Sequence, residues 1–152
     1  MDVLAVIPPE TRLSPAEVDA LLEIAYFTTA ANGDLSDEEV DAYRVAAPRL
    51  RAMAGSPSRA PLTDREIEGE IDAFEAHLRH ASMEARLAEL ATSLPTAEAR
   101  ERAYALSYAF SLCDWETNED ERRFLALLAV ATELPADRVR AIEDAAHAKL
   151  GL

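Results

Sequence analysis

Basic residues, glycine, aromatic rings and cysteine are all scarce in this chain of 152 residues. Lys and Arg number 15 against 29 Asp and Glu, leaving a net charge of -14. That deficit argues against nucleic acid, whose phosphates require clustered Lys and Arg. It also disfavours anionic membrane surfaces, which attract basic segments. The single cysteine, Cys113, excludes an intramolecular disulfide and any multi-cysteine zinc or iron–sulfur site, and is compatible with a reducing compartment. No stretch approaches the roughly 20 apolar residues that span a bilayer. The first nine residues carry Asp2 where a secretory leader needs bases. A cytoplasmic location without membrane insertion is therefore expected.

What the chain does contain is apolar and helix-forming. Hydrophobic residues make up 49% of it, alanine is abundant, and aromatics are only 6%. Such a composition can bury a core, unlike a disordered acidic tail. With four glycines and almost no β-branched runs, it predicts an all-α fold. The length suits one domain, 1–152, with residues 1–13 as an N-terminal extension.

Helix starts are marked by a Ser, Thr or Asn cap with Glu three residues later. Ser14-Pro15-Ala16-Glu17 opens a first helix with Val18, Leu21, Leu22 and Ala25 on one face, and Asn32-Gly33 stops it. Ser36-Asp37-Glu38-Glu39 starts a second, which Pro48 is expected to limit or kink. Residues 55–62 read as a loop, the best candidate for a mobile one. Thr63-Asp64-Arg65-Glu66 opens a third helix with Ile67, Ile71, Phe74 and Leu78 at helical spacing. Ser82 caps a short fourth, and a fifth runs from about Thr96 to Cys113. Asn118-Glu119-Asp120-Glu121 begins a sixth, and a seventh follows Pro135. The expectation is a bundle of about seven helices.

Two of these helix pairs repeat. Aligning Tyr26 with Tyr108 sets an offset of 82 residues, at which Asn32 meets Asp114, Asp34 meets Glu116, Ser36 meets Asn118 and Glu39 meets Glu121. Each copy is an apolar helix, an acidic turn and a second, capped helix. Two copies are too few for a solenoid, so a compact bundle with a pseudo-two-fold repeat is expected, its halves joined by the loop at 55–62.

The turns read Ala31-Asn32-Gly33-Asp34-Leu35-Ser36-Asp37-Glu38-Glu39 and Cys113-Asp114-Trp115-Glu116-Thr117-Asn118-Glu119-Asp120-Glu121. This arrangement resembles the TerB-like family, all-helical bacterial domains first named for tellurite resistance. The family's signature is an Ala-Asp-Gly turn followed by a Glu in the next helix, present twice. The resemblance runs from about Ser14 to the C-terminus, with two departures: Asn32 replaces the usual Asp and Trp115 the usual Gly. It implies a stress-associated, non-enzymatic domain that binds a divalent cation (calcium, manganese or zinc) and contacts partner proteins. The implied ligands are Asn32 and Glu39 in one turn and Asp114 and Glu121 in the other, with Asp34 and Glu116 able to help.

The chemistry suits that implication, because hard cations take several oxygens and adjoining turns can supply them. An EF-hand is excluded: counted from Asn32 or Asp114, its sixth position is Asp37 or Glu119 instead of Gly. The acids in the first helical turns, Asp37, Glu38, Glu119 and Asp120, are explained as well by stabilisation of the helix's positive end. An interaction module of the same fold, with purely structural acids, is therefore the alternative.

Other candidates carry less. His77 and His80 read as surface histidines, and Glu143 with His147 as a helix-surface pair rather than an acid–base dyad. Arg49, Arg51 and Arg59 read as a solvated face balancing nearby acids. Cys113, followed by carboxylates, is expected to be a poor nucleophile. Trp115 is a candidate anchor for a partner, since Trp is enriched at binding hot spots. No Gly-rich phosphate loop, Ser–His–Asp or Cys–His arrangement, or HExxH motif suggests an enzyme.

Overall fold

Side-chain caps set most of the helix starts. In a computed structural model that describes residues 1–33, 35–114 and 117–152, seven α-helices follow a short 3-10 turn at Val3–Val6, with no strand among the described residues. The helices are α1 (Pro15–Thr29), α2 (Asp37–Met53), α3 (Asp64–His77), α4 (Met83–Ala91), α5 (Ala97–Ser111), α6 (Glu119–Ala131) and α7 (Ala136–Leu150). Ser36, Thr63 and Asn118 each accept from the backbone N–H three residues on, and Glu39, Glu66 and Glu121 each accept from the cap's own N–H. These are complete capping boxes. The box expected at Ser14 is only half formed. Ser14 accepts from the Glu17 N–H at 3.0 Å, but the Glu17 carboxylate turns away to Arg102 on α5, at 2.8 and 3.0 Å.

The repeat is visible in the element boundaries. Caps Ser14 and Thr96 share the spacing of Ser36 and Asn118, and α1 and α5 are both 15 residues long. These two helices form the most extensive packing in the molecule, and both bury alanines, among them Ala25 and Ala109. Phe27, Leu21, Leu22, Ile24, Leu106, Phe110 and Leu128 fill the centre. No helix among the described residues is long and apolar enough to cross a membrane.

The N-terminal extension, residues 1–13, packs onto the bundle: Val3, Leu4, Val6, Ile7 and Leu13 are buried, and the 3-10 turn packs against α5, α7 and α2. Asp2 caps that turn, accepting from the Leu4 N–H at 3.1 Å. Pro48, expected to limit or kink α2, does not limit it: the helix continues to Met53 with Pro48 buried inside it. Proline cannot donate to the carbonyl four residues back, here that of Arg44. The Leu62 N–H takes that bond instead at 3.1 Å, while the Arg44 guanidinium donates to the Leu62 carbonyl at 2.6 Å. The orphaned acceptor thus becomes an anchor for the end of the 55–62 loop.

Candidate site at the paired acidic turns

Each of the two turns delivers a glutamate into the interior. Glu39 on α2 and Glu121 on α6 occupy the same position of their capping boxes, and each is only 4% exposed. One carboxylate oxygen of each accepts the cap's N–H, from Ser36 at 3.1 Å and from Asn118 at 3.2 Å. Ser36 then bridges the copies. Its hydroxyl accepts from the Glu39 N–H and donates to Asp114 Oδ1, both at 3.1 Å. That link spans 78 residues, and it seats the second turn on the first.

The electrostatics follow from this placement. Burial holds the Glu39 carboxyl above its ordinary value, against the lowering effect of the Ser36 hydrogen bonds, and Asp114 and Glu38 raise it further. Burial also pushes Glu121 from 4.5 up to about 7, helped by Glu39 and Asp114. The charges acting most strongly on this pair are therefore other carboxylates. Cys113 lies in the same field. Its thiol is pushed up to about 12, first by burial and then by Glu39 and Asp114, so it is not a nucleophile. A cleft of about 560 Å³ opens beside the turns, bordered by Glu38, Asp41, Arg49, Met1 and Cys113.

The residues named from the sequence divide into three groups. Glu39, Glu121 and Asp114 are brought together as described. Asn32 is exposed on its turn. Asp34, Trp115 and Glu116 lie outside the described residues. Among the described residues, no three of the His, Cys, Asp and Glu side chains stand close enough to hold a metal ion. The exposed acids of the first helical turns, Asp37, Glu38, Glu119 and Asp120, sit at helix N-termini as their sequence positions suggest. Arg123 pairs with Glu119 at 2.7 Å.

Elsewhere the side chains find partners that no local pattern announces. His77 Nδ1 lies 3.0 Å from Glu23, which is 3% exposed and also takes two bonds from Arg86 at 2.6 and 2.8 Å. Glu143 and His147 each meet a tyrosine of α5. Tyr104 donates to Glu143 at 2.6 Å, and the Tyr108 hydroxyl lies 2.7 Å from His147 Nε2. Arg49 pairs with Asp2 at 3.1 Å, Arg51 binds Glu70 through two nitrogens, and Arg59 is exposed. Sequence reasoning treated Ser36 only as a cap and missed its bridging role. The repeat alignment, which pairs Ser36 with Asn118 and sets Asn32 opposite Asp114, was the one signal that the two turns belong together.

Compared with protein-family models, curated proteins and solved structures, the chain matches none of them.

Proposed function

We propose that this chain is a non-enzymatic TerB-like domain that binds a divalent cation across its two acidic turns and contacts partner proteins in a bacterial stress response. One observation supports the reading above the others. Each repeat copy buries a glutamate in the field of Asp114, Glu121 feels Glu39 as well and Glu39 feels Glu38, so carboxylates are the strongest charges acting on both. Like charges gathered in a poorly solvated place raise the free energy of the ionised state, and a hard cation relieves it while accepting several oxygens. Glu39, Asp114 and Glu121 would supply oxygens from both turns. Asn32 with Asp34, and Glu116, would complete the set, and water would reach the ion through the adjoining cleft. Trp115, next to Asp114, would then offer an aromatic anchor to a partner.

A second reading is an interaction module whose acids are structural, and the closed capping boxes favour it. Glu39 and Glu121 already accept backbone N–H groups, and a protonated carboxyl, which burial favours at both positions, needs no counter-ion. Thermal unfolding separates the two. Protein stripped with a chelator is melted with calcium, manganese or zinc added. A cation at about 100 times its Kd stabilises the native state by about 2.7 kcal/mol. For a chain of this size that raises Tm by about 5–10 °C. A Tm unmoved by all three ions leaves only the structural reading.

A further inference from the structure

Helix α3 is attached to the rest of the protein mainly through polar groups. Of its 14 residues only Ile67 is fully buried, while Ile71, Phe74 and Leu78 at its end are partly covered. Its close backbone packing is against α1, whereas α7 lies along both α5 and the N-terminal 3-10 turn. Polar contacts instead run the length of α3. Arg44 meets Asp64 at 2.6 Å, and Arg51 binds Glu70 at 2.7 and 2.9 Å. Tyr43 donates to the same Glu70 at 2.6 Å, Tyr26 donates to Glu75 at 2.9 Å, and His77 reaches Glu23 at 3.0 Å. All of these partners lie on α1 or α2.

The two ends of α3 are fixed at points outside it. On one side Leu62 is bound to Arg44 through both its N–H and its carbonyl. On the other, residues 78–82 lead to α4, which Arg86 ties to Glu23. Beneath α3 the Phe74 ring lies between Tyr26 and Tyr43, with centroids 5.4 and 6.4 Å away. An open groove of about 380 Å³ runs along the seam, bounded by Phe74, His77, Leu22 and Arg86.

We propose that α3 is a hinged cover, latched to α1 and α2 through Glu70, Glu75 and His77, which opens as a unit and uncovers the Tyr26–Tyr43 aromatic face. Opening exposes Ile67, Phe74 and the Tyr26–Tyr43 face but leaves the α1–α5 core covered, and its polar contacts are exchanged for contacts with water, each at small net cost. Disrupting α1 or α5 instead exposes the whole core. The two events are separated in free energy, as cooperative sub-units of a native protein commonly are. A latch made of charges is also weakened by salt, which leaves buried apolar packing intact.

Hydrogen exchange followed by mass spectrometry on the full chain tests this. Amides of residues 64–78 are expected to exchange at least about 30-fold faster than the centres of α1 and α5. Raising NaCl from about 0.05 M to about 1 M, where the screening length falls to about 3 Å, should accelerate α3 at least about threefold and leave α5 unchanged. Arg51→Gln should reproduce that acceleration at low salt. The proposal is overturned if α3 exchanges at the rate of α5, or exchanges fast with no response to salt. Should Arg51→Gln also accelerate α5, the variant has loosened the whole fold, and the salt series on the unsubstituted protein decides.

Discussion

Replacing Glu121 by glutamine isolates the electrostatic cost of the paired turns. Glutamine keeps an oxygen for the Asn118 N–H, so the capping box survives, and it mimics the protonated carboxyl. The Glu121 carboxyl titrates near 4.5 in the unfolded chain and near 7 in the folded one. Because the folded value is the higher, the native state holds more protons than the unfolded state between those limits. Stability contributed by the protonated form is therefore complete below about pH 4.5 and is lost as pH rises through 7. The gap corresponds to about 3 kcal/mol. Urea unfolding in the presence of a chelator, repeated from about pH 4.5 to 8.5, measures it. Parent and Glu121→Gln should be nearly equal at the acid end. The variant should gain steadily toward pH 8, by up to about 3 kcal/mol, with a residual slope from Glu39, whose carboxyl is raised by burial, Asp114 and Glu38. A difference between the two proteins that stays constant with pH, or a variant less stable at pH 8, would refute the argument.

Other substitutions follow from single features. Ser107 has a buried hydroxyl with no hydrogen-bond partner among the described residues, and the repeat aligns it with the buried Ala25. Ser107→Ala should therefore raise stability by about 1 kcal/mol, or Tm by about 2–4 °C. Glu23→Ala leaves Arg86, itself 15% exposed, without its bidentate partner. It should cost about 3 kcal/mol in urea unfolding, and a loss below about 0.5 kcal/mol would deny that pair a structural role. Gly33, at φ 86°, and Gly69, inside α3 with open space at its Cβ position, should respond in opposite directions to alanine. The first should lose about 1 kcal/mol. The second should gain about 0.5–1 kcal/mol and slow the exchange of α3.

How much of this was readable from the residues depends on the range of the interaction. Caps at Ser36, Thr63 and Asn118 were legible because a hydroxyl or amide and a Glu three residues later complete the motif locally. The same motif gave the helix start at Ser14 but not the fate of Glu17, whose carboxylate is drawn to Arg102, 85 residues away. Pro48 read as a limit or a kink because its sequence neighbours do not reveal that the Leu62 N–H satisfies the freed carbonyl. The packing of the N-terminal extension was not legible because a four-residue apolar turn has no periodicity, although its contacts with α5, α7 and α2 make it core. At the site, the repeat placed Glu39 and Glu121 in corresponding positions and set Asp114 opposite Asn32. Their burial and the Ser36 bridge depend on how the two copies pack, which no spacing encodes.

The cation claim is tested most directly by calorimetric titration of the chelator-stripped protein with calcium, manganese and zinc. Asp114→Asn is run beside Asp37→Asn, a control at an exposed helix N-terminus. A saturable site for at least one ion, absent in Asp114→Asn and nearly unchanged in Asp37→Asn, is the result this account predicts. No saturable heat in the parent protein, or an equal loss in both variants, would contradict it.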